Sequence, residues 1–351
     1  MKTMRAAVFE RPGRIVIQER PIPEVGPTDA LLRVTLTTIC GTDVHILKGE
    51  YAVKPGLIVG HEPVGVIERL GNAVTGYEVG QRVIVGAITP CGQCNSCLDG
   101  HPSQCRGRPM GGWRFGNTID GCQAEFVLVP DAKTNLSPVP DGLTDEQVLM
   151  CPDIMSTGIS GAESGNVRIG DVVAVFAQGP IGLCATAGAR LRGASQVIVV
   201  DCIAERLKLA KTLGADDAVD FNETDPVDAI MKLTNGRGVD VAIEALGKQQ
   251  TFEWGVRTLK PGGVLSSLGV YSGKLSIPVE AIAAGLGDHT IRTTLCPGGK
   301  ERMRRLMSIV QSGRVDLRSF VTHRFKLEQI EEAYELFANQ RDNVIKVAIT
   351  P

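Results

Sequence analysis

From Val172 onward the chain alternates apolar runs with helical stretches, and this alternation constrains its fold more than any other feature. Residues 172–177 form a continuous apolar run, a helical stretch follows over 181–191, and 196–200 is a second apolar run. A helix over about 204–213, a short strand near 218–221, a helix through 227–233 and strands at 239–246 and 264–270 continue the series. Strands alternating with helices at this spacing predict a doubly wound α/β unit with a parallel sheet. The turn after the first strand reads Ala177-Gln178-Gly179-Pro180-Ile181-Gly182. Gly179 lets the backbone approach a pyrophosphate, Gly182 allows close helix–strand packing, and the helix N-terminus offers free N–H groups to the phosphates. Ala177 stands where the first glycine of that pattern is expected, so the signal is the whole strand–turn–helix and not the turn alone. Asp201 ends the next strand, 19 residues after Gly182. A carboxylate there binds the adenosine ribose hydroxyls or, in the plainer reading, caps the next helix.

Residues 1–150 have a different texture, with short β-type runs at 5–9, 14–18, 30–37, 65–70, 82–88 and 124–129 between Gly and Pro turns. That pattern predicts an all-β, barrel-like unit. Within it lies Cys91-x2-Cys94-x2-Cys97-x7-Cys105. Ten cysteines in 351 residues are too few for a disulfide scaffold. The first ten residues also lack an apolar signal-peptide core, so the cluster reads as a metal site. Four thiolates can close a tetrahedral shell around Zn²⁺ and leave no open position, which is the signature of a structural site. Four unrelated reduced thiols are the alternative, and the spacing argues against it. His101 reads as a surface residue of this lobe.

A second, dispersed set comprises Cys40, His61 with Glu62, and Asp153. A catalytic zinc needs three protein ligands and one open position. Each of these residues alone is read more simply as a small buried hydrophobe or a satisfied polar group. Beyond Cys296, residues Met303, Leu306, Met307 and Val310 mark one apolar helix face, a helix is expected over 327–338, and 345–349 reads as a strand. This tail is too short to fold alone and is expected to return to the first unit. The nucleotide-binding unit, 155–296, is then an insertion between 1–154 and 297–351. With 37 Lys+Arg against 39 Asp+Glu and pI near 6.3, there is no electrostatic footprint for nucleic acid or an anionic membrane. No run reaches the ~18 apolar residues of a membrane span, and a cytoplasmic globular protein is expected.

Across essentially its whole length the chain resembles the zinc-dependent medium-chain alcohol dehydrogenases. The motifs that carry the resemblance are Cys40-Gly41-Thr42-Asp43-x-His45, Gly60-His61-Glu62, the four-cysteine lobe, the turn with Asp201, and Lys260-Pro261-Gly262-Gly263. Within the family it is most similar to the bacterial secondary-alcohol dehydrogenases, through Gly112-Trp113-Arg114-Phe115, Asp153 followed by Met155-Ser156-Thr157-Gly158, and Leu295-Cys296-Pro297-Gly298-Gly299. Many of that subgroup prefer the phosphorylated cofactor, and several lack the cysteine lobe; this chain departs on both counts.

The resemblance implies a Rossmann domain inserted into a β-rich GroES-like catalytic domain, two zinc ions per subunit, NAD and a homotetramer. It implies a catalytic zinc on Cys40, His61 and Asp153, with Glu62 close enough to visit, and a structural zinc on the lobe. It implies a proton relay from Thr42 through a cofactor ribose hydroxyl to His45, which is otherwise a plain surface histidine. Thr157, Gly179, Pro180, Ile181, Gly182, Asp201 and Arg206 would meet the cofactor. Trp113, Cys296 and Ile88 would line a compact apolar pocket, although core packing is an equal reading of Trp113. The implied activity is hydride transfer between NAD(H) and a small secondary alcohol or ketone. Polyol, threonine or formaldehyde dehydrogenases of the same family are alternatives, as is a cofactor-binding protein that has lost catalysis.

Overall fold

Gly13, at φ +81°, turns the chain between the antiparallel strands Thr3–Arg11 and Arg14–Pro21. The computed structural model describes residues 2–107, 111–271, 273–281 and 284–351. It divides into two compact units, Met1–Ser156 with Pro297–Pro351, and Thr157–Cys296.

In the first unit, Leu57–Ile58 completes a three-stranded sheet with the opening hairpin. A seven-stranded sheet runs in the order Val321–Lys326, Lys346–Thr350, Ala30–Thr38, Val64–Leu70, Arg82–Val85, Leu136–Pro138, with Phe126–Val129 also paired to Ala30–Thr38. The tail joins this sheet through Lys346–Thr350, antiparallel to Ala30–Thr38 with Ala348 opposite Thr38. Helix Lys300–Gln311 buries Met303, Leu306, Met307 and Val310, the face expected from their spacing. The helix expected from residue 327 begins instead at Ile330, after a 3-10 turn over Leu327–Gln329. The Lys326 N–H donates to Gln329 Oε1 at 3.2 Å and tightens that entry.

The unit is also not all-β. Helix Gly41–Leu47 follows Cys40, and residues Cys151–Met155 form a π-helical turn in which the Met155 N–H reaches back to the Met150 carbonyl at 2.9 Å. Pro152 has no N–H to continue an α-helical ladder there, and the backbone widens to the next available pairing.

The second unit is a six-stranded parallel sheet in the order Asp217–Asp220, Gln196–Asp201, Val172–Phe176, Val239–Glu244, Leu259–Ser267, Thr290–Thr293. This is the doubly wound dinucleotide-binding order, and its crevice lies at the carboxyl ends of the strands. The strand expected at 264–270 starts five residues earlier, at Leu259. The register jumps there, Val239 facing Leu259 while Val241 faces Val264. A bulge therefore absorbs Lys260-Pro261-Gly262-Gly263, with Gly262 at φ +73°, inside the strand and not before it. Among the described residues no helix is long and apolar enough to cross a membrane.

Candidate metal centres and nucleotide cradle

Cys40 is the residue before helix Gly41–Leu47, extended at φ −108°, and its N–H donates to Asp43 Oδ2 at 2.9 Å. His61 and Glu62 follow Gly60, whose φ of +92° suits glycine; a Cβ there would lie 2.5 Å from Gln123 Cγ. Asp153 sits in the π-helical turn. Together these loops bring Cys40, His61, Glu62 and Asp153, all buried, to where one ligand atom from each lies within 4.8 Å of the others. Cys40 Sγ is 3.3 Å and His61 Nε2 3.5 Å from Asp153 Oδ2. A thiol, an imidazole and carboxylates form a donor set suited to Zn²⁺. Glu62 Oε2 is buried without a hydrogen-bond partner, an acceptor that such a cation would satisfy.

Two residues that the sequence reading did not assign organise this cluster. Asp43 is fully buried, with Oδ1 3.4 Å from His61 Nδ1. Neither atom makes an aligned hydrogen bond. The charge attraction nonetheless favours a proton on Nδ1, leaving the Nε2 lone pair for a metal. The same surroundings also favour a second proton, on Nε2: burial opposes the charge, but the Asp43 and Asp153 carboxylates outweigh it and raise His61 well above the ordinary histidine range, and a metal ligated at Nε2 would displace that proton. Burial works against ionised Asp153 too, but His61 holds it well below the usual carboxylate range.

The second residue is Lys346, 1% exposed, whose Nζ donates to Glu62 Oε1 at 2.6 Å and to the Ile39 carbonyl at 3.1 Å. Burial pushes Glu62 up to about 7, although Lys346 draws it down. Lys346 was detectable as the one charge in the apolar run 344–349, and Asp43 as the unassigned acid of the Cys40 motif. Nothing in the sequence marks Gln123, which donates to Asp43 Oδ2 at 3.4 Å and accepts from the Tyr334 hydroxyl at 2.9 Å.

Thr42 Oγ1 lies 3.8 Å from Cys40 Sγ. His45, on the same helix, is half-buried and pairs through Nδ1 with Glu50, a partner the sequence reading missed. Its ring is 5.1 Å from Tyr51, which is 5.9 Å from Trp113, itself 6.3 Å from His61 and edge-on. Trp113 also packs on the apolar cluster that holds Val44 and Ile46, as its core-packing reading expects. Ile88 pairs with Trp113 in an isolated antiparallel bridge. Cys296, the third expected pocket residue, is the buried last residue of the second unit.

The sulfurs of Cys91, Cys94, Cys97 and Cys105 also lie within 4.8 Å of one another. Cys94 Sγ is 3.5 Å from Cys97 Sγ and 3.9 Å from Cys105 Sγ. The Arg106 backbone N–H, 3.2 Å from Cys94 Sγ, leads the interactions that lower that thiol to about 6. Cys105 is lowered despite its burial, by the backbone N–H groups of Cys91 and Gly107. Four convergent sulfurs, two of them favoured as thiolates, fit a tetrahedral zinc. His101 contributes no ligand to this group.

In the second unit, Gly179 is the N-cap of helix Pro180–Leu191, and Pro180 occupies the first turn, where its missing N–H costs nothing. A Cβ on Gly179 would meet nothing within 4 Å, so the backbone is open to a ligand, whereas one on Gly182 would lie 1.8 Å from the Ala177 carbonyl. Ala177 itself is left-handed at φ +70°, the conformation that explains the glycine of the usual pattern. Asp201 does not cap the following helix, whose N-cap is Ile203. Its Oδ2 accepts from the Gln178 N–H at 2.5 Å and its Oδ1 from the Cys202 and Ile203 N–H groups at 2.8 and 3.0 Å. The carboxylate is thus tied to the glycine turn. Gln178, also unassigned beforehand, is buried and bonded to the Val175 and Ala177 carbonyls and to Thr186. Ile181 follows Pro180 in the first turn, beside Gly182, and Arg206 is half-buried on helix Ala204–Thr212. Thr157 is buried next to Gly158, where a Cβ would lie 2.4 Å from Cys184 Cβ on the helix that the turn opens.

Comparison with known proteins gives a consistent assignment. Residues 26–141 match the alcohol dehydrogenase GroES-like domain, and residues 180–312 match the zinc-binding dehydrogenase family. The chain is 64% identical to an alcohol dehydrogenase of Cupriavidus necator over 99% of both chains. It is 36% identical to the NADP-dependent isopropanol dehydrogenase of Thermoanaerobacter brockii, over 96% of this chain and 97% of that one. The solved alcohol dehydrogenase from Thermus sp. ATN1 superposes with a TM-score of 0.89 at 34% identity, covering 99% of each chain.

Proposed function

This chain belongs to the zinc-dependent medium-chain alcohol dehydrogenases, and we propose that within that family it transfers hydride between NAD(H) and a small secondary alcohol or ketone. The observation that carries the reading is the convergence of Cys40, His61 and Asp153 beside the Thr42 hydroxyl. Cys40, His61 and Asp153 would hold the zinc, which would supply Lewis acidity toward an alcohol hydroxyl, and the 179–182 turn would hold the cofactor, which would supply the hydride acceptor. Asp43 fixes the face that His61 presents, and Lys346 balances the charge of Glu62. Thr42, half-buried, would take the alcohol proton and pass it through a cofactor ribose hydroxyl to His45, which is also half-buried and is paired with Glu50. Trp113 and Ile88 supply an apolar wall that suits a small substrate. These catalytic residues fall within 1–154 and 297–351, and the nucleotide turn within 155–296, which is the domain division proposed here. NADH absorbance with 2-propanol, 2,3-butanediol, sorbitol, threonine and formaldehyde tests the substrate class. A best kcat/KM for sorbitol or threonine would move the reading to polyols or hydroxy amino acids, and a best value for formaldehyde would reject the secondary-alcohol reading.

The preference for NAD rests on Asp201. A carboxylate has about four lone-pair sites, and the three backbone donors leave one on Oδ2 for a ribose hydroxyl. The same three bonds keep the carboxylate from swinging away from a 2′-phosphate, and like charges held together cost several kcal/mol. NAD should therefore exceed NADP by about 10²-fold in kcat/KM. Asp201→Asn, which keeps an acceptor for the Gln178 N–H but loses the charge, should narrow that gap. Equal kcat/KM with both cofactors in the wild type would sink the assignment.

Two zinc ions per subunit are expected. Elemental analysis should approach two equivalents, falling to one in Cys91→Ser. A wild-type value of one, fully retained in Cys91→Ser, would remove the lobe's zinc.

A further inference from the structure

Arg114 is the largest fully buried side chain among the described residues, and no role described so far uses it. Its guanidinium is divided three ways. Nε donates to the Gly111 carbonyl at 3.4 Å, one terminal nitrogen pairs with Asp131 at 3.2 Å, and the other donates to Cys105 Sγ at 3.4 Å. Cys105 Sγ already receives the N–H groups of Cys91 at 3.4 Å and Gly107 at 3.3 Å. Four thiolates around a dication leave two net negative charges, and the share carried by Cys105, the buried one of the four, is costly unless a counter-charge is fixed beside it. Arg114 sets a guanidinium against Cys105, and Asp131 on its other terminal nitrogen orients it. Gly107 makes room for it: a Cβ there would lie 2.9 Å from Cys91 Sγ and 3.0 Å from the guanidinium.

The segment 111–114 has a second face. On the lobe side, the Gly111 N–H bonds the Cys105 carbonyl at 2.7 Å and the Gly112 N–H the Ser103 carbonyl at 3.1 Å. On the other side, the Thr89 N–H bonds the Gly112 carbonyl at 2.8 Å, and Trp113 bridges to Ile88. A Cβ on Gly112 would lie 2.7 Å from both Ile88 Cγ2 and the Ser103 carbonyl, so no slack remains between lobe and wall. We propose that Arg114 is the cation that retains the metal of the four-cysteine lobe, and that through 111–113 the state of that lobe sets the Trp113–Ile88 wall beside His61. This inference rests on the lobe holding zinc, as read above.

The test follows zinc release from the purified holoenzyme to the chromogenic chelator 4-(2-pyridylazo)resorcinol, for wild type, Arg114→Met and Arg114→Lys. Partners outside the ligand set typically change metal affinity by about 10–100-fold. One of the two equivalents should leave Arg114→Met faster by about that factor, while the other leaves at the wild-type rate. Arg114→Lys, which restores charge without the planar fork, should recover part of the difference. The KM for alcohol should rise in Arg114→Met by more than kcat changes. In a Trp254→Phe background, where Trp113 is the sole tryptophan, loss of the faster equivalent should shift the fluorescence emission. Unchanged release rates, equal acceleration of both equivalents, or release with no change in Trp113 emission would each overturn the proposal. If Arg114→Met fails to fold, Asp131→Asn leaves the arginine in place but loosens its orientation. An unaltered release rate there is equally decisive against the proposal. A wild type holding a single zinc that Cys91→Ser retains would instead refute the underlying assignment of the lobe.

Discussion

Asp153→Asn should lower kcat by about 10³-fold while the protein stays folded. The carboxylate lies 3.3 Å from Cys40 Sγ and 3.5 Å from His61 Nε2, so it is placed to be the anionic oxygen ligand of the three. An amide oxygen binds Zn²⁺ weakly, and a weakened site forfeits Lewis-acid stabilisation worth several kcal/mol. Side-chain volume is conserved, so the π-helical turn and its packing should survive. Turnover with 2-propanol, set against zinc content and Tm, separates the two effects. Near-normal kcat in the variant would remove Asp153 from the ligand set.

Thr42→Val should cost about 10²–10⁴ in kcat while zinc content stays at the wild-type value. The swap keeps shape and removes only the hydroxyl 3.8 Å from Cys40 Sγ. Helix Gly41–Leu47 takes its start from Cys40 and Asp43 and not from Thr42, so its cap persists. Thr42→Ser should restore most of the loss, since it returns the hydroxyl. If Thr42→Val turned over normally at neutral pH, the proton would have to leave by another route. A loss in Thr42→Val that Thr42→Ser did not relieve would point to packing in place of proton transfer.

Legibility in the sequence followed distance along the chain. The four-cysteine lobe could be read because all its ligands fall within 91–105, and local spacing alone brings them together. The parallel sheet could be read because each strand–helix repeat carries its own periodicity. Ala177 looked like a defect in the glycine pattern, yet its φ of +70° preserves the turn's geometry without the glycine. Pro261 and Gly262 read as a break before the strand at Leu259–Ser267, whereas pairing with Val239–Glu244 before and after them, at Leu259 and Val264, holds them in a bulge. Asp43 and Lys346 escaped assignment for another reason. Asp43 meets His61 and Lys346 meets Glu62 only through tertiary folding, 18 and 284 positions away respectively, and no local pattern encodes either meeting.

The long reach of Lys346 also has a meaning in time. Glu62 and Lys346 are 284 positions apart, and ribosomes add about 5–20 residues per second. Glu62 therefore exists for roughly 15–60 s before its cation is made. During that interval the sheet around Ala30–Thr38 can form, but the place of Lys346–Thr350 on its edge is empty, and burial of Glu62 is unfavourable without a positive partner. The Cys91–Cys105 lobe has no such dependence, since its ligands emerge together early in synthesis. The four cysteines of the lobe are all present once residue 105 is made, whereas Glu62 gains its lysine partner only when the returning strand docks.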